Sequence, residues 1–155
     1  MPLTFAVVMS STHDAGPVAT ADLVIPSDPA EARVVQDRIE QVLQERQTAD
    51  RDIFSIKLAL EEALVNAIKH GNQLDRAKSV RIAYAVHPDR IEIIITDEGQ
   101  GFDPEDVPDP RAVENLERPC GRGLMLMRHY MTKVAYNDRG NSVVMCKVFR
   151  SNGRK

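Results

Sequence analysis

This chain lacks several features that would assign it directly to a class of protein. Its two cysteines, Cys120 and Cys146, are too few for a disulfide framework or a zinc site. No apolar run approaches the ~20 residues that are needed to cross a bilayer. The apolar stretch at 5–9 has no basic segment before it and is too short for a signal peptide. We therefore expect a protein of the reduced cytoplasmic compartment that makes no membrane contact.

An excess of basic residues is also missing. The net charge is −3, and the only basic cluster lies in the terminal segment 150–155, so there is no electrostatic case for direct binding to nucleic acid. A hydrophobic content of 43% with 28% charged residues is ordinary for a globular protein. We expect a single domain at 21–150, preceded by a loosely ordered extension at 1–20 and followed by a tail at 151–155.

The period of the apolar residues predicts the secondary structure. Ser27 is the expected N-cap of a first helix, and Asp50 is the expected cap of a second. A proline-rich segment at 103–120 resists regular structure, as functional loops often do. Because strands that follow each other directly pair as hairpins, we predict an α+β fold, a two-layer α/β sandwich with a mostly antiparallel sheet and helices on one face. The predicted elements are strand 22–26, helices 29–46 and 51–70, strands 80–86 and 91–95, helix 124–131, and strands 133–137 and 142–149.

The second predicted helix carries the first chemical motif, EEALVNAIKHGN at 61–72. Glu62 and Asn66 are four residues apart, so their side chains are neighbours on one surface of the helix. A carboxylate beside a carboxamide can hold a divalent cation through oxygen ligands, or place a base next to the metal. The polar outer face of an ordinary amphipathic helix would show the same pattern. The opposite face has an apolar stripe suited to a core, made of Ile53, Leu60, Leu64 and Ala67.

The second motif, DEGQG at 97–101, follows a strand. Gly99 and Gly101 would let the backbone approach a flat ligand closely, and Asp97 would accept a hydrogen bond from an exocyclic amine such as that of adenine. A glycine-rich turn that only closes a hairpin would look the same.

The third motif, GRGL at 121–124, stands at a predicted helix start. Free backbone N–H groups and the positive end of the helix dipole form an anion site there, and Arg122 adds a charge. A simple loop-to-helix turn with a solvated arginine is the alternative. The motif is not a P-loop, because no Lys-Ser/Thr pair follows the glycines. It is not a dinucleotide-binding fingerprint either, since no parallel βαβ unit surrounds it.

In this order the three motifs resemble the ATP-binding fold shared by gyrase, Hsp90, sensor histidine kinases and MutL, the Bergerat or GHKL fold. The resemblance extends over 22–149. Within that superfamily the chain is most similar to the anti-sigma-factor serine/threonine kinases of the RsbW and SpoIIAB type. The segments that carry this similarity are LALEEALVNAIKHGN at 58–72, ITDEGQGFDP at 95–104 and GRGLMLMRHYMTKV at 121–134.

The resemblance implies ATP and Mg²⁺ as cofactors and a role for each motif. Residues 103–120 would form a lid over the phosphates. The implied roles are Mg²⁺ coordination by Asn66, general-base catalysis by Glu62, adenine recognition by Asp97 with Ser142 beside the base, shaping of the pocket by Gly99 and Gly101, and phosphate contact at Gly121, Arg122, Gly123 and Leu124.

The function that the resemblance implies is partner switching in transcription regulation. A kinase of this family would hold a sigma factor inactive and would phosphorylate a Ser or Thr of an anti-anti-sigma factor, a STAS-type protein. A homodimer is the expected assembly. One alternative is a nucleotide-gated protein-binding module without significant kinase activity, although such a module has no need of the base Glu62. Another is a structural adaptor that has lost nucleotide binding, against which the three retained motifs argue.

Overall fold

The computed structural model describes residues 16–99 and 119–150, with side chains from residue 123 onward in the second range. The order of elements is the one predicted, and the segment 103–118 of the predicted lid lies outside the described residues. Strand boundaries differ from the prediction by one to three residues, as is usual at element ends. The elements are β1 (Ala19–Pro26), α1 (Pro29–Glu45), α2 (Asp50–Val65), a π-helical turn (Asn66–Gly71), β2 (Ser79–Val86), β3 (Arg90–Thr96), α3 (Pro119–Tyr130), β4 (Lys133–Tyr136) and β5 (Ser142–Val148).

The five strands form one sheet in the order β1-β2-β3-β5-β4, and every neighbouring pair is antiparallel. The register places Ile95 of β3 between Ile82 of β2 and Val143 of β5. These residues share one core with the apolar sides of the three helices. The α+β fold class is therefore confirmed. In the described ranges no helix is both long and apolar enough to span a membrane.

Both predicted helix caps are wrong by one residue. Asp28, rather than Ser27, caps α1, because its Oδ1 accepts a hydrogen bond from the backbone N–H of Ala30 at 3.0 Å. Ser27 is buried instead and donates its hydroxyl to the carbonyl of Lys78 at 2.8 Å. At the second helix Ala49 is the N-cap residue, so Asp50 is already the first helical residue, where its charge favours the positive end of the dipole.

The end of the second helix also differs from the predicted α-helix. Regular α-helix ends at Val65, and a π-helical turn follows at Asn66–Gly71. The turn is closed by backbone bonds from the N–H of Asn72 to the carbonyl of Ala67 and from the N–H of Leu74 to the carbonyl of Ile68, both 2.8 Å. Short π-helical segments are uncommon and concentrate at functional sites.

The last helix begins earlier than predicted. α3 starts at Pro119, whereas the sequence led us to expect helix only from Leu124. Proline suits the first turn of a helix because it has no N–H to leave unbonded and its φ is already helical. Gly121 and Gly123 therefore lie within the helix rather than in a hinge before it.

Candidate functional site

A cavity of about 240 Å³ lies between the end of α2 and the neighbouring ends of β3 and β5. It brings together the first and second sequence motifs, since Asn66 and Asp97 both line it. Apolar and small side chains form most of the rest of its wall, as expected for a site that takes a flat base. The lining residues are Ala63, Asn66, Ala67, His70, Gly71, Ile95, Asp97, Tyr136, Gly140, Asn141 and Val143.

Asp97 is the buried acid of this cavity, with 9% of its surface exposed. Its Oδ1 accepts a hydrogen bond from the N–H of Gly99 at 2.8 Å. Its own backbone is fixed by Asn141, whose carbonyl accepts from the Asp97 N–H at 2.9 Å and whose Nδ2 donates to the Asp97 carbonyl at 3.1 Å. Burial raises the pKa of Asp97 to about 6, although the Gly99 N–H and the charges of Arg139 and Lys78 oppose this rise.

Two glycines let the turn that begins at Asp97 pack directly against the end of α2. A Cβ at Gly71 would overlap the carboxylate of Asp97, and a Cβ at Gly99 would overlap the backbone carbonyl of Gly71. Gly99 therefore lets the backbone approach the end of the helix, rather than a ligand as the sequence predicted. Asp97 is held at the cavity wall because no side chain separates the two segments.

Glu62 and Asn66 meet the third motif at Gly123 of α3. A Cβ on Gly123 would lie 3.0 Å from Glu62 Oε1, 3.1 Å from Asn66 Nδ2 and 3.5 Å from Asn66 Oδ1. α3 thus covers this face of α2, which leaves only 8% of Asn66 exposed and is incompatible with a purely solvated face. Asn66 Nδ2 has no hydrogen-bond partner among the described residues.

The side chains beside Gly123 carry oxygen donors of the kind that Mg²⁺ takes. Mg²⁺ prefers oxygen donors, and in nucleotide sites it takes one or two from the protein and the rest from phosphates and water. The Glu62 carboxylate and the Asn66 carboxamide both lie beside Gly123. The described part of the chain contains no group of three His, Cys, Asp or Glu that would hold a metal by itself. Glu62 and Asn66 therefore suit a Mg²⁺ ion whose remaining ligands come from phosphate and water.

The first turn of α3 stands where the sequence predicts phosphate contacts. The first four N–H positions of a helix have no partner within the helix. In a helix that begins at Pro119 the Arg122 N–H makes the first intrahelical bond and Pro119 has no N–H, so the amides of this turn without an intrahelical partner are those of Cys120 and Gly121. Gly123 belongs to the contact with Glu62 instead. The side chain of Leu124 joins the hydrophobic core, and the structure does not bring it to the cavity.

Ser142 is another predicted site residue that the structure places apart from the cavity. Its hydroxyl shares a hydrogen bond of 2.7 Å with Thr96 Oγ1, its partner across the sheet. Successive side chains of a strand point to opposite faces, so Val143 lines the cavity and Ser142 faces away from it. The preceding residue, Asn141, lines the cavity in its place. Gly101 and the side chain of Arg122 lie outside the described residues.

Sequence reasoning did not select Tyr136, Asn141 or His70, which line the cavity wall. Asn141 belongs to the turn before β5. Asn137 closes it by accepting three backbone N–H groups on one oxygen, those of Gly140, Asn141 and Ser142. The available signal in the sequence is an asparagine, Asn137, three residues before the pair Gly140-Asn141. It indicates a tight turn that directs the side chain of Asn141 toward the cavity.

Comparison with known proteins gives a consistent result. The family model described as "Histidine kinase-like ATPase domain" matches residues 25–147. The chain is 34% identical over 103 residues to the serine-protein kinase RsbW of Bacillus licheniformis, covering 62% of this chain and 64% of that protein, slightly less than two thirds of its length. It is 28% identical over 134 residues to the serine-protein kinase RsbW of Bacillus subtilis, covering 81% and 83%.

A solved structure supports the same fold. The crystal structure of the RsbU and RsbW domains of a Mycobacterium tuberculosis protein superposes with a TM-score of 0.56 at 16% identity, covering 86% of this chain and 34% of that one. At this identity the likeness concerns the fold alone. With the family model matching most of the chain, and with the acid and the asparagine at one cavity, the chain belongs to the histidine kinase-like ATPase domain family.

Proposed function

We propose that this protein is an ATP-dependent serine/threonine protein kinase that acts as an anti-sigma factor by partner switching. The observation that carries the proposal is the convergence of Glu62 and Asn66 on Gly123 at the start of α3. A pocket for adenine alone would need only Asp97. A carboxylate and a carboxamide beside free helix amides suit the other end of ATP, where the phosphoryl group is transferred.

Each end of the site has its part in the reaction. The ionised carboxylate of Asp97 accepts a hydrogen bond from the exocyclic amine of adenine, and Asn141 and Tyr136 line the pocket beside it. The amides of Cys120 and Gly121 hold phosphate oxygens through the positive end of the helix. Asn66 would hold Mg²⁺, which when bound would supply neutralisation of the phosphate charge.

Glu62 is the general base. It takes the proton of a Ser or Thr hydroxyl as that oxygen forms a bond to the γ-phosphorus, the bond to the β–γ bridging oxygen breaks, and ADP leaves. Phosphoryl transfer depends mostly on positioning and on neutralisation of charge. One carboxylate placed beside the start of α3 is therefore enough to supply the base for the reaction.

Replacing Glu62 by Gln tests this assignment. Glu62→Gln keeps the shape of the side chain and removes the base, so we expect phosphoryl transfer to a STAS-type acceptor to fall at least about 100-fold while ATP affinity stays within about twofold. The measurement is transfer from radiolabelled ATP, together with calorimetric binding of ATP and Mg²⁺. Glu61→Gln is the matched control, because this neighbouring acid points about 100° away and is exposed, and it should transfer at the native rate.

Two results would contradict the proposal. Transfer by Glu62→Gln at the native rate would remove Glu62 from the base role. A native protein that binds ATP but phosphorylates no acceptor would instead be a nucleotide-gated binding module. Binding of a fluorescent ATP analogue to the native chain, and its loss in Asp97→Asn, is the first measurement, because absence of binding would end both versions.

The proposed partners are a sigma factor, which the protein binds and holds inactive, and an anti-anti-sigma factor, which it phosphorylates and thereby releases. Relatives named serine-protein kinase RsbW support this assignment. We further propose that the protein works in the cytoplasm as a homodimer. Light scattering of the purified chain, alone and with a candidate sigma factor, would measure both assemblies, and a strictly monomeric chain that binds no sigma factor would contradict them.

A further inference from the structure

Asn72, the residue directly after the π-helical turn, is completely buried and has no part in the proposed reaction. Its carboxamide makes three hydrogen bonds. Nδ2 donates to Ser27 Oγ at 2.9 Å and to the carbonyl of Ser79 at 3.0 Å, and Oδ1 accepts from the N–H of Glu98 at 2.8 Å. Because a backbone N–H only donates and a carbonyl only accepts, these partners determine which end of the amide faces each of them.

The bond to Glu98 acts on the turn that carries Asp97. Glu98 stands between Asp97 and Gly99, and the N–H of Gly99 donates to the Asp97 carboxylate. The Asn72 side chain therefore accepts the first N–H of this turn, that of Glu98, and the Asp97 side chain accepts the second, that of Gly99. A rotation of the Glu98 amide would carry the next amide with it and would turn the carboxylate away from its present position.

The packing around this turn joins it closely to the helix end. Gly71 lies against the Asp97 carboxylate and Gly99 lies against the Gly71 carbonyl, with no space for a Cβ at either position. Asn72 is next to Gly71 in the chain, so its hydrogen bond is formed at the same contact. The position of Asp97 in the cavity thus depends on the end of α2 through Asn72.

We propose that Asn72 is a positioning residue that sets the selectivity of this site for adenine. The inference rests on the proposed binding of ATP. Adenine presents an amine that donates to a carboxylate, whereas guanine presents a carbonyl oxygen at the same place, which a carboxylate repels. This discrimination requires the Asp97 oxygen in one orientation. Phosphate binding at α3 does not involve the turn and should not depend on Asn72.

The test measures affinities for ATP, GTP and inorganic tripolyphosphate in Mg²⁺, in the native protein and in Asn72→Ala. Removing the carboxamide leaves the Glu98 N–H without its partner. We expect the ratio of the GTP to the ATP dissociation constant to fall about tenfold, the equivalent of one hydrogen bond, while tripolyphosphate affinity stays within about twofold.

Ser27→Ala is the matched control for stability. It removes a partner of the same carboxamide on the side away from Asp97, so it should lower stability but keep the native selectivity. If Asn72→Ala does not fold, Asn72→Ser is measured instead, because its hydroxyl fills part of the space and is too short to reach the Glu98 amide.

The outcomes separate this inference from the proposed function. A native ATP/GTP selectivity in the folded Asn72 variant would overturn the positioning role, as would an equal loss of tripolyphosphate affinity, which would indicate a general structural effect. A native protein that binds ATP and GTP equally would contradict this inference and the adenine contact proposed for Asp97, but not the proposed phosphoryl transfer. A native protein that binds no nucleotide would contradict the proposed function itself.

Discussion

Asp97 shows at the scale of one residue how the proposed recognition of a base opposes stability. Its carboxylate is buried at the cavity wall, and burial raises its pKa to about 6, above the value of 3.8 for an ordinary aspartate. The folded protein therefore holds a proton at this site over a range in which the unfolded chain has lost it. The free energy of unfolding consequently falls as the pH rises from about 4 to about 6, by at most about 3 kcal/mol.

The same pKa predicts the pH dependence of ATP binding. Only the ionised carboxylate accepts from the adenine amine without giving up an oxygen to a proton. We expect ATP affinity to be constant above about pH 7 and to fall toward about tenfold per pH unit below about pH 6. Calorimetric titration across about pH 4.5–8 measures this, with tripolyphosphate as the reference ligand that carries only the pH dependence of the phosphate groups.

Asp97→Asn is the control for that titration. A carboxamide keeps the contact with the Gly99 N–H but presents an amine to the adenine amine, so ATP binding should be weak at every pH. The variant should also unfold at a higher temperature than the native protein at pH 7, because it buries no charge. Native-like pH dependence in Asp97→Asn would assign the titration to another group.

At the scale of elements, the helices and strands were predictable because their apolar residues repeat with the right period. The stripe of Ile53, Leu60, Leu64 and Ala67 is buried as predicted, and the alternating residues of β2 and β3 pair as a hairpin. The start of α3 at Pro119 was missed because glycines hid the continuation of the helix. The π-helical turn was missed because it leaves no periodic signal.

The site was partly predictable for a related reason. Glu62 and Asn66 have helical spacing, and Asp97 stands at a strand end, so local patterns selected them. Asn72 and Asn141 act through hydrogen bonds to residues distant in the chain, and no local pattern contains these partners. The sequence prediction chose Ser142, whereas its neighbour Asn141 lines the cavity. Neighbouring side chains in a strand point to opposite faces, so an error of one residue chooses the wrong face.

The contact between α2 and α3 gives a prediction at this scale. A Cβ at Gly123 would lie about 0.4 Å inside an ordinary van der Waals contact with Glu62 and Asn66, so both side chains must move. We expect Gly123→Ala to lower Mg²⁺-dependent ATP affinity about tenfold. Stability should change little, because replacing glycine in a helix contributes about 0.5–1 kcal/mol that offsets the crowding.

The measurement for Gly123→Ala is ATP binding with and without Mg²⁺, alongside urea denaturation. Met125→Ala is the control, since this exposed side chain lies on the same helix and should leave both forms of binding unchanged. An unchanged Mg²⁺-dependent affinity in Gly123→Ala would mean that Asn66 does not hold the ion.

At the scale of the whole molecule, α2 joins the site to the end of the chain. The π-helical turn that follows it carries Asn66 at the cavity, and its first turn carries Asp52, which is completely buried. Asp52 Oδ2 accepts a hydrogen bond from the backbone N–H of Arg150 at 2.9 Å, across 98 residues of sequence. The segment after β5 is therefore fixed on α2, about 15 Å along the helix from Glu62.

This arrangement predicts that substitutions in the first turn of α2 change the stability of the protein without changing its affinity for ATP. Asp52→Ala leaves the Arg150 N–H without its partner, and we expect the free energy of unfolding to fall by about 1–3 kcal/mol. Asp50→Ala is the matched control, because Asp50 lies in the same first turn but is exposed, so it loses only the dipole contribution of about 0.3–1 kcal/mol. Urea denaturation measures both variants, and ATP affinity should remain native in both. If Asp52→Ala weakened ATP binding at a temperature where it is fully folded, the two ends of α2 would be coupled and the helix would transmit changes from the chain end to the site.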